Sequence, residues 1–358
     1  MFPAAYARQG ARNWIAGRNL YPMNAPQTCS NADAENTDSD VIGTRSRRGI
    51  SVVFGLSIES PITLPETVQA AHRASNEPVD VTIAEQMLRD DDFRDFGPSD
   101  WFGIRDRILR LRIEGVGRFE VANGDTIRFE RDPSIAAPGV GDADVRIFLL
   151  GSCLGAILQQ RGTVPLHAST VIIDDAAVAF MGPSGAGKST TLAMLVADGH
   201  AMLSDDVSAL RVDADIISVL PAYGQVKLNP DSVEHLRLDR DKLAWINRFR
   251  SKFALDCSAR LGAQPAPLKT VFIIEPSATA RNVTVDAVHG SERFALLHRN
   301  TYRQVFHDGL RIRELAGLRM AALANHCRVF RLTRPTQLDQ GGDRLRESVY
   351  RALAGDFG

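Results

Sequence analysis

The chain has no apolar run approaching the roughly 18 residues of a membrane-spanning helix. Arg8, Arg12 and Arg18 lie near its start without a continuous apolar stretch beside them, so no secretory leader is expected. Cysteine is scarce: Cys29, Cys153, Cys257 and Cys327 are scattered and form no CxxC pair. That argues against a zinc site and a disulfide scaffold, and it suits reduced thiols in a cytoplasmic protein. Charge of one sign is also lacking. The 42 basic and 43 acidic residues leave a net charge of −1, which gives no ground for a nucleic-acid or membrane partner. No repeat in the range of about 20–50 residues is present. What remains is ordinary globular composition, 44% hydrophobic and 24% charged over 358 residues, with material for about two domains.

One stretch stands out: Gly182-Pro183-Ser184-Gly185-Ala186-Gly187-Lys188-Ser189 matches the phosphate-loop pattern G-x-x-x-x-G-K-[ST] at every fixed position. Glycines let backbone N–H groups crowd around an anion without Cβ clashes. Lys188 can reach β and γ phosphates, and the Ser189 hydroxyl can ligate Mg²⁺. The flanks suit the motif. Residues 176–181 are an apolar run fit for a buried strand, and 190–197, opening at Thr190, read as a helix stopped by Gly199. The helix dipole would then favour negative charge at the loop.

Around this stretch the chain divides into three expected parts. Residues 1–48 read as an arm, acidic from Thr28 to Asp40 and basic from Thr44 to Arg48, with little to offset the entropy of ordering it. Residues 49–140 read as a small, mostly antiparallel β-rich module. Ser51 to Ile58 is expected as one strand, and Asn123-Gly124 as a hairpin turn. Trp101 and the Asp90-Asp91-Asp92 run read there as packing and a solvated turn. Residues 141–358 are expected to be the phosphate-loop domain, entered through a buried helix over 145–159.

Within it, residues 168–173 and 176–181 form equal strands around Asp174-Asp175, a hairpin that brings His167 beside the loop. A strand at 201–204, parallel to 176–181, would deliver Asp205-Asp206 to the same rim. Loop, histidine and paired carboxylates are the parts phosphoryl transfer asks for: charge neutralisation, and a carboxylate to orient and deprotonate a hydroxyl. Later in the chain, helices are expected over 309–324 and from about Gln337 to Leu353, with a strand over 329–332 between them.

The run from Leu166-His167 through the loop to Asp205-Asp206 resembles the HPr kinase/phosphorylase superfamily, relatives of phosphoenolpyruvate carboxykinase. His167 lies 21 residues before Lys188 and Asp206 lies 18 after it, as in that family. The resemblance is close over about 163–210. It implies an α/β fold, a P-loop nucleotide-binding domain of HPr kinase/PEP carboxykinase type behind a smaller β-rich N-terminal module. It further implies ATP and Mg²⁺ as cofactors, a peptide or small protein carrying a serine as acceptor, and self-association. By it Asp206 is the general base, Asp205 helps hold Mg²⁺ with Ser189, and His167 assists Asp206. Phe54-Gly55-Leu56-Ser57-Ile58 with Leu64-Pro65-Glu66 is similar to the opening of stand-alone relatives, some of which phosphorylate the C-terminal serine of a lasso-peptide precursor.

The E-I-R-G signature of bacterial HPr kinases is missing. Gly224 to Pro230 occupies its neighbourhood, which argues against HPr as acceptor and against a reverse phosphorylase activity. Lys227 in that segment reads as an exposed strand lysine, with contact to substrate or phosphate as the alternative. The family's late arginine near the phosphates has Arg299 and Arg303 as candidates. A nucleotide-binding regulator or adaptor, a hydrolase, a nucleotidyl transferase and HPr(Ser) kinase proper remain open alternatives.

Overall fold

Alternation of apolar and polar residues builds the first sheet. The computed structural model describes residues 49–69, 78–97, 99–135, 141–213, 216–247, 250–336 and 342–355. The expected arm 1–48, Cys29 and the expected start of the last helix at Gln337 lie outside them. Strands β1 (Gly49–Val53), β2 (Leu56–Ser60), β3 (Val68–Gln69), β4 (Val81–Glu85), β5 (Phe102–Arg105), β6 (Ile108–Ile113), β7 (Gly117–Ala122) and β8 (Thr126–Arg131) join in the order β3-β1-β2-β4-β8-β7-β6-β5. The pairs β2–β4 and β4–β8 are parallel and the others antiparallel. Leu109, Leu111, Phe119, Val121, Ile127 and Phe129 are buried on one face. On the other, Arg110, Glu120 and Arg128 form a ladder of ion pairs at 2.8 and 2.9 Å, each directly opposite the next.

The single strand expected over 51–58 is a hairpin instead. Phe54 and Gly55 take φ of 56° and 73°, the left-handed pair that closes a two-residue turn. Left-handed backbone at a non-glycine costs on the order of 1 kcal/mol. Burial of the Phe54 ring, 2% exposed, offsets it.

The entry helix runs as α1 (Asp142–Phe148), a π-helical segment Leu149–Cys153 and α2 (Leu154–Gln160), almost wholly buried from Leu149 onward. Two strands follow, β9 (Ala168–Ile173) and β10 (Ala176–Met181), paired residue for residue around Asp174-Asp175, both left-handed. After the loop come α3 (Lys188–Ala197) and β11 (Ala201–Ser204). Strand β11 pairs antiparallel with β9, so it runs in the same direction as β10 with β9 between them.

The chain continues through β12 (Leu210–Asp213), β13 (Ile216–Val219), β14 (Gln225–Leu228), α4 (Pro230–His235), β15 (Ala244–Asn247), β16 (Arg250–Asp256), β17 (Ala266–Ser277), β18 (Thr284–Ala287), α5 (Ser291–Arg299), α6 (Arg313–His326), β19 (Arg328–Pro335) and α7 (Asp343–Ala354). Strand β17 lies parallel to both β10 and β19, and its first residues pair with β13. Strands β14, β16 and β15 form a separate three-stranded antiparallel sheet. Helix α6 begins later than the expected 309, since Arg311 sits at φ 58° and cannot continue a helix.

The central sheet is covered on both faces, and the strands show it. Ala177, Ala179, Met181, Val271 and Ile273 pack with Ala316, Met320 and Leu323 of α6. Their alternates Val178, Phe180, Phe272 and Ile274 pack with Leu192 and Leu195 of α3 and Leu345 and Val349 of α7. The chain is therefore a mixed α/β protein with several sheets, and its described residues from Gly49 onward form one compact unit. Among the described residues no helix is long and apolar enough to cross a membrane.

Candidate active site

The loop leaves β10 at Met181 and enters α3 at Lys188, as its sequence requires. Gly182 has φ 142°, and a Cβ there would stand 2.5 Å from the carbonyl oxygen of Ile274, so no other residue fits against β17. Pro183, Ser184 and Gly185 are exposed at the rim, and Ala186 is buried beneath them. Lys188 is buried and its Nζ donates to the carbonyls of Gly182 at 3.0 Å and Pro183 at 3.2 Å. Burial pulls its pKa down, against the opposing pull of Asp206 and Asp205. The Thr190 hydroxyl is engaged with Ser232 at 2.8 Å.

The two aspartates at the end of β11 have different surroundings. Asp205 is 2% exposed. Its Oδ1 accepts from Ser169 Oγ at 2.6 Å and Ser189 Oγ at 2.9 Å, and its Oδ2 accepts from the Lys227 backbone N–H at 2.9 Å. Asp206 is part-exposed in left-handed backbone, φ 77°. Its Oδ1 lies 3.2 Å from His167 Nδ1 and its Oδ2 lies 3.7 Å from Lys227 Nζ. His167 Nδ1 is also 3.1 Å from the Asp206 carbonyl. Both neighbours are acceptors, which places the proton on Nδ1. Burial alone would raise the Asp206 pKa. The His167 hydrogen bond and the Lys227 charge outweigh it and hold the carboxyl well below its ordinary value.

A metal can be tested against these donors. No cluster of three or more His, Cys, Asp or Glu side chains suited to a metal occurs among the described residues. Ser189 Oγ and Asp205 Oδ1 meet at 2.9 Å beside the loop, an all-oxygen pair. Mg²⁺ keeps most of its waters and takes one or two protein oxygens plus phosphates, so the pair fits that ion.

The fold thus brings together His167, residues 182–189, Asp205 and Asp206, which the sequence had placed on one rim. The arginine candidates lie otherwise. Arg299 pairs with Glu275 at 3.0 Å, and Arg303 donates to Ser152 Oγ at 2.9 Å with its guanidinium 4.9 Å over the Trp101 ring. The arginine in contact with the loop is Arg334, at the end of β19. It donates through Nε to the Ala186 carbonyl at 2.8 Å and through Nη1 to Pro335 and Thr336 carbonyls at 2.7 and 3.0 Å. Lys227 was expected to be exposed and is 8% exposed, against Asp206 and 5.8 Å from the Tyr223 ring centroid. Ser169 was not singled out. None of these three carried a local signal of its contacts: Val226 and Leu228 flank Lys227 as core residues and turn it to the opposite face, where a lysine ordinarily meets water.

No protein-family model matches the chain, and no curated protein matches it in sequence. Among solved structures, the chain has a slight likeness to the HPr(Ser) kinase/phosphatase from Coxiella burnetii. Identity is 12% and the TM-score 0.32, over 53% of this chain and 97% of that one.

Proposed function

We propose that the protein is an ATP- and Mg²⁺-dependent kinase that phosphorylates a serine hydroxyl on a peptide or small protein in the cytoplasm. The observation that carries this reading is the division of labour at the rim. Asp205 is buried, accepts three hydrogen bonds and touches Ser189, while Asp206 next to it presents a charged, part-exposed carboxylate, held by His167. That second carboxylate is the group that transfer to a hydroxyl requires beyond the binding of nucleotide.

In this reading the loop amides and Lys188 hold the phosphates of the donor. Mg²⁺, held by Ser189 and Asp205, would supply charge neutralisation at those phosphates. Asp206 accepts a hydrogen bond from the acceptor serine and orients its oxygen toward the γ-phosphorus. The new O–P bond forms as the bond to the β–γ bridging oxygen breaks, and the hydroxyl proton passes to Asp206. A carboxylate with a depressed pKa is a weak base, so orientation is its larger share of the work. His167, donating from Nδ1, keeps that carboxylate aimed. The resemblance at Phe54 to Ile58 and Leu64 to Glu66 makes the C-terminal serine of a lasso-peptide precursor the first acceptor to try.

The test is intact-mass spectrometry of serine-ended precursor peptides and HPr, each incubated with the protein, ATP and Mg²⁺. A gain of one phosphate on the last serine is expected. No gain on any peptide while ATP still binds would replace this reading with that of a nucleotide-binding regulator.

A further inference from the structure

We infer that Lys227 is a positioning residue for both aspartates, fixing the metal-side carboxylate and the hydroxyl-orienting carboxylate relative to each other from a single point on β14. The register of the three-stranded sheet sets it there. Lys227 lies opposite Ala254 and Leu228 opposite Phe253, so Val226, Leu228 and Phe253 form the apolar face packed into the core. Lys227 projects from the other face. A lysine on such a face ordinarily extends into water, yet this one is buried.

Burying an ammonium requires an anion nearby, and Asp206 supplies it at 3.7 Å. The same residue's backbone N–H holds Asp205 Oδ2 at 2.9 Å. Consecutive side chains that diverge are thus tied to one residue. Asp206 also sits in left-handed backbone, a conformation an L-residue keeps only when its surroundings hold it. His167 holds it at Oδ1 and Lys227 at Oδ2, so the carboxylate is clamped from two sides. Lys227 acts through Asp206, and among the described residues its backbone hydrogen bond and its ion pair go to the two aspartates and not to the phosphate loop.

The kinetic half of the test rests on the kinase reading, and the thermal half does not. In the full-length chain, Lys227→Met should leave the calorimetric affinity for ATP with Mg²⁺ within about threefold and lower kcat for the serine acceptor about 100-fold at unchanged KM for ATP. Lys227→Arg should recover kcat to within about tenfold of wild type. A kcat for Lys227→Met within about twofold of wild type would overturn the inference, as would a loss confined to ATP affinity. If Lys227→Met does not fold, Lys227→Gln takes its place with the same expectations. Melting shifts of Lys227→Met, Asp206→Asn and the double variant are then compared. A double shift smaller than the sum of the two single shifts supports the tie, and strictly additive shifts overturn it even if wild type phosphorylates nothing.

Discussion

The site has two walls of different origin. One is a continuous piece of chain, residues 182–191, whose glycines, lysine and hydroxyls carry their own geometry. The other is assembled from distant elements: His167 before β9, the aspartates after β11, Lys227 on β14 and Arg334 at the end of β19. In the proposed kinase the continuous wall would hold phosphates, and the assembled wall would aim a carboxylate at the group that approaches them. Binding and transfer should therefore fail separately, depending on which wall is broken.

The largest effect should come from the continuous wall. Lys188→Ala is expected to remove nucleotide-dependent turnover, a fall of about 10³-fold or more, and to weaken ATP binding with it. Turnover unchanged from wild type would remove the loop from the chemistry. Next comes the assembled wall: Asp206→Asn should keep ATP affinity by calorimetry and lose transfer by roughly 10²–10⁴-fold. If that variant transfers normally, the hydroxyl is oriented elsewhere.

Arg334→Met tests where the walls meet. It strips donors from the carbonyls of Ala186, Pro335 and Thr336. Stability should fall by about 2–3 kcal/mol, seen in thermal melts, and ATP affinity by about tenfold as the loop loosens. A lowered melting point with unchanged affinity would make the arginine a purely structural brace.

The smallest effect lies outside both walls. Burial pushes His307 down from its ordinary pKa to about 4, helped by His298 and Arg313 and opposed by Asp308. The unfolded chain takes up that proton first, so the contribution is complete above the ordinary histidine pKa of about 6.5 and is lost as pH falls toward 4. His307→Gln should flatten the melting-point decline over that window. An unchanged slope would assign the acid sensitivity to other groups.

The same contrast explains what the sequence made legible. Loop, hairpin and aspartate pair were readable because each depends on local spacing: equal strands around a two-residue turn, then a crossover whose handedness is nearly fixed. Arg334 was not readable, because its partner Ala186 is 148 residues away and the contact follows only once β17 separates β10 from β19. Lys227 was misjudged because its burial depends on Asp206 and Tyr223 closing over it, which alternation along β14 cannot report. Phe54 was missed because a buried aromatic gives no warning of left-handed backbone. Local rules found the continuous wall with His167 and the aspartates, and tertiary packing supplied Lys227 and Arg334.

The β9–β10 hairpin also acts as a ruler. Met181 lies opposite Ala168, so His167 falls opposite Gly182, and the turn at Asp174-Asp175 fixes that reading from the far end of the strands. One residue inserted within either strand beside the turn, unless taken up as a bulge, would offset the two strands by one position. If β9 kept its other pairings, the loop would then start one place out of step with the histidine. If β9 slid instead, the imidazole would turn to the opposite face of the sheet. The turn touches none of the chemistry, yet its length sets the alignment on which the site depends, so the residues there are constrained in number, and in kind to those that tolerate left-handed backbone.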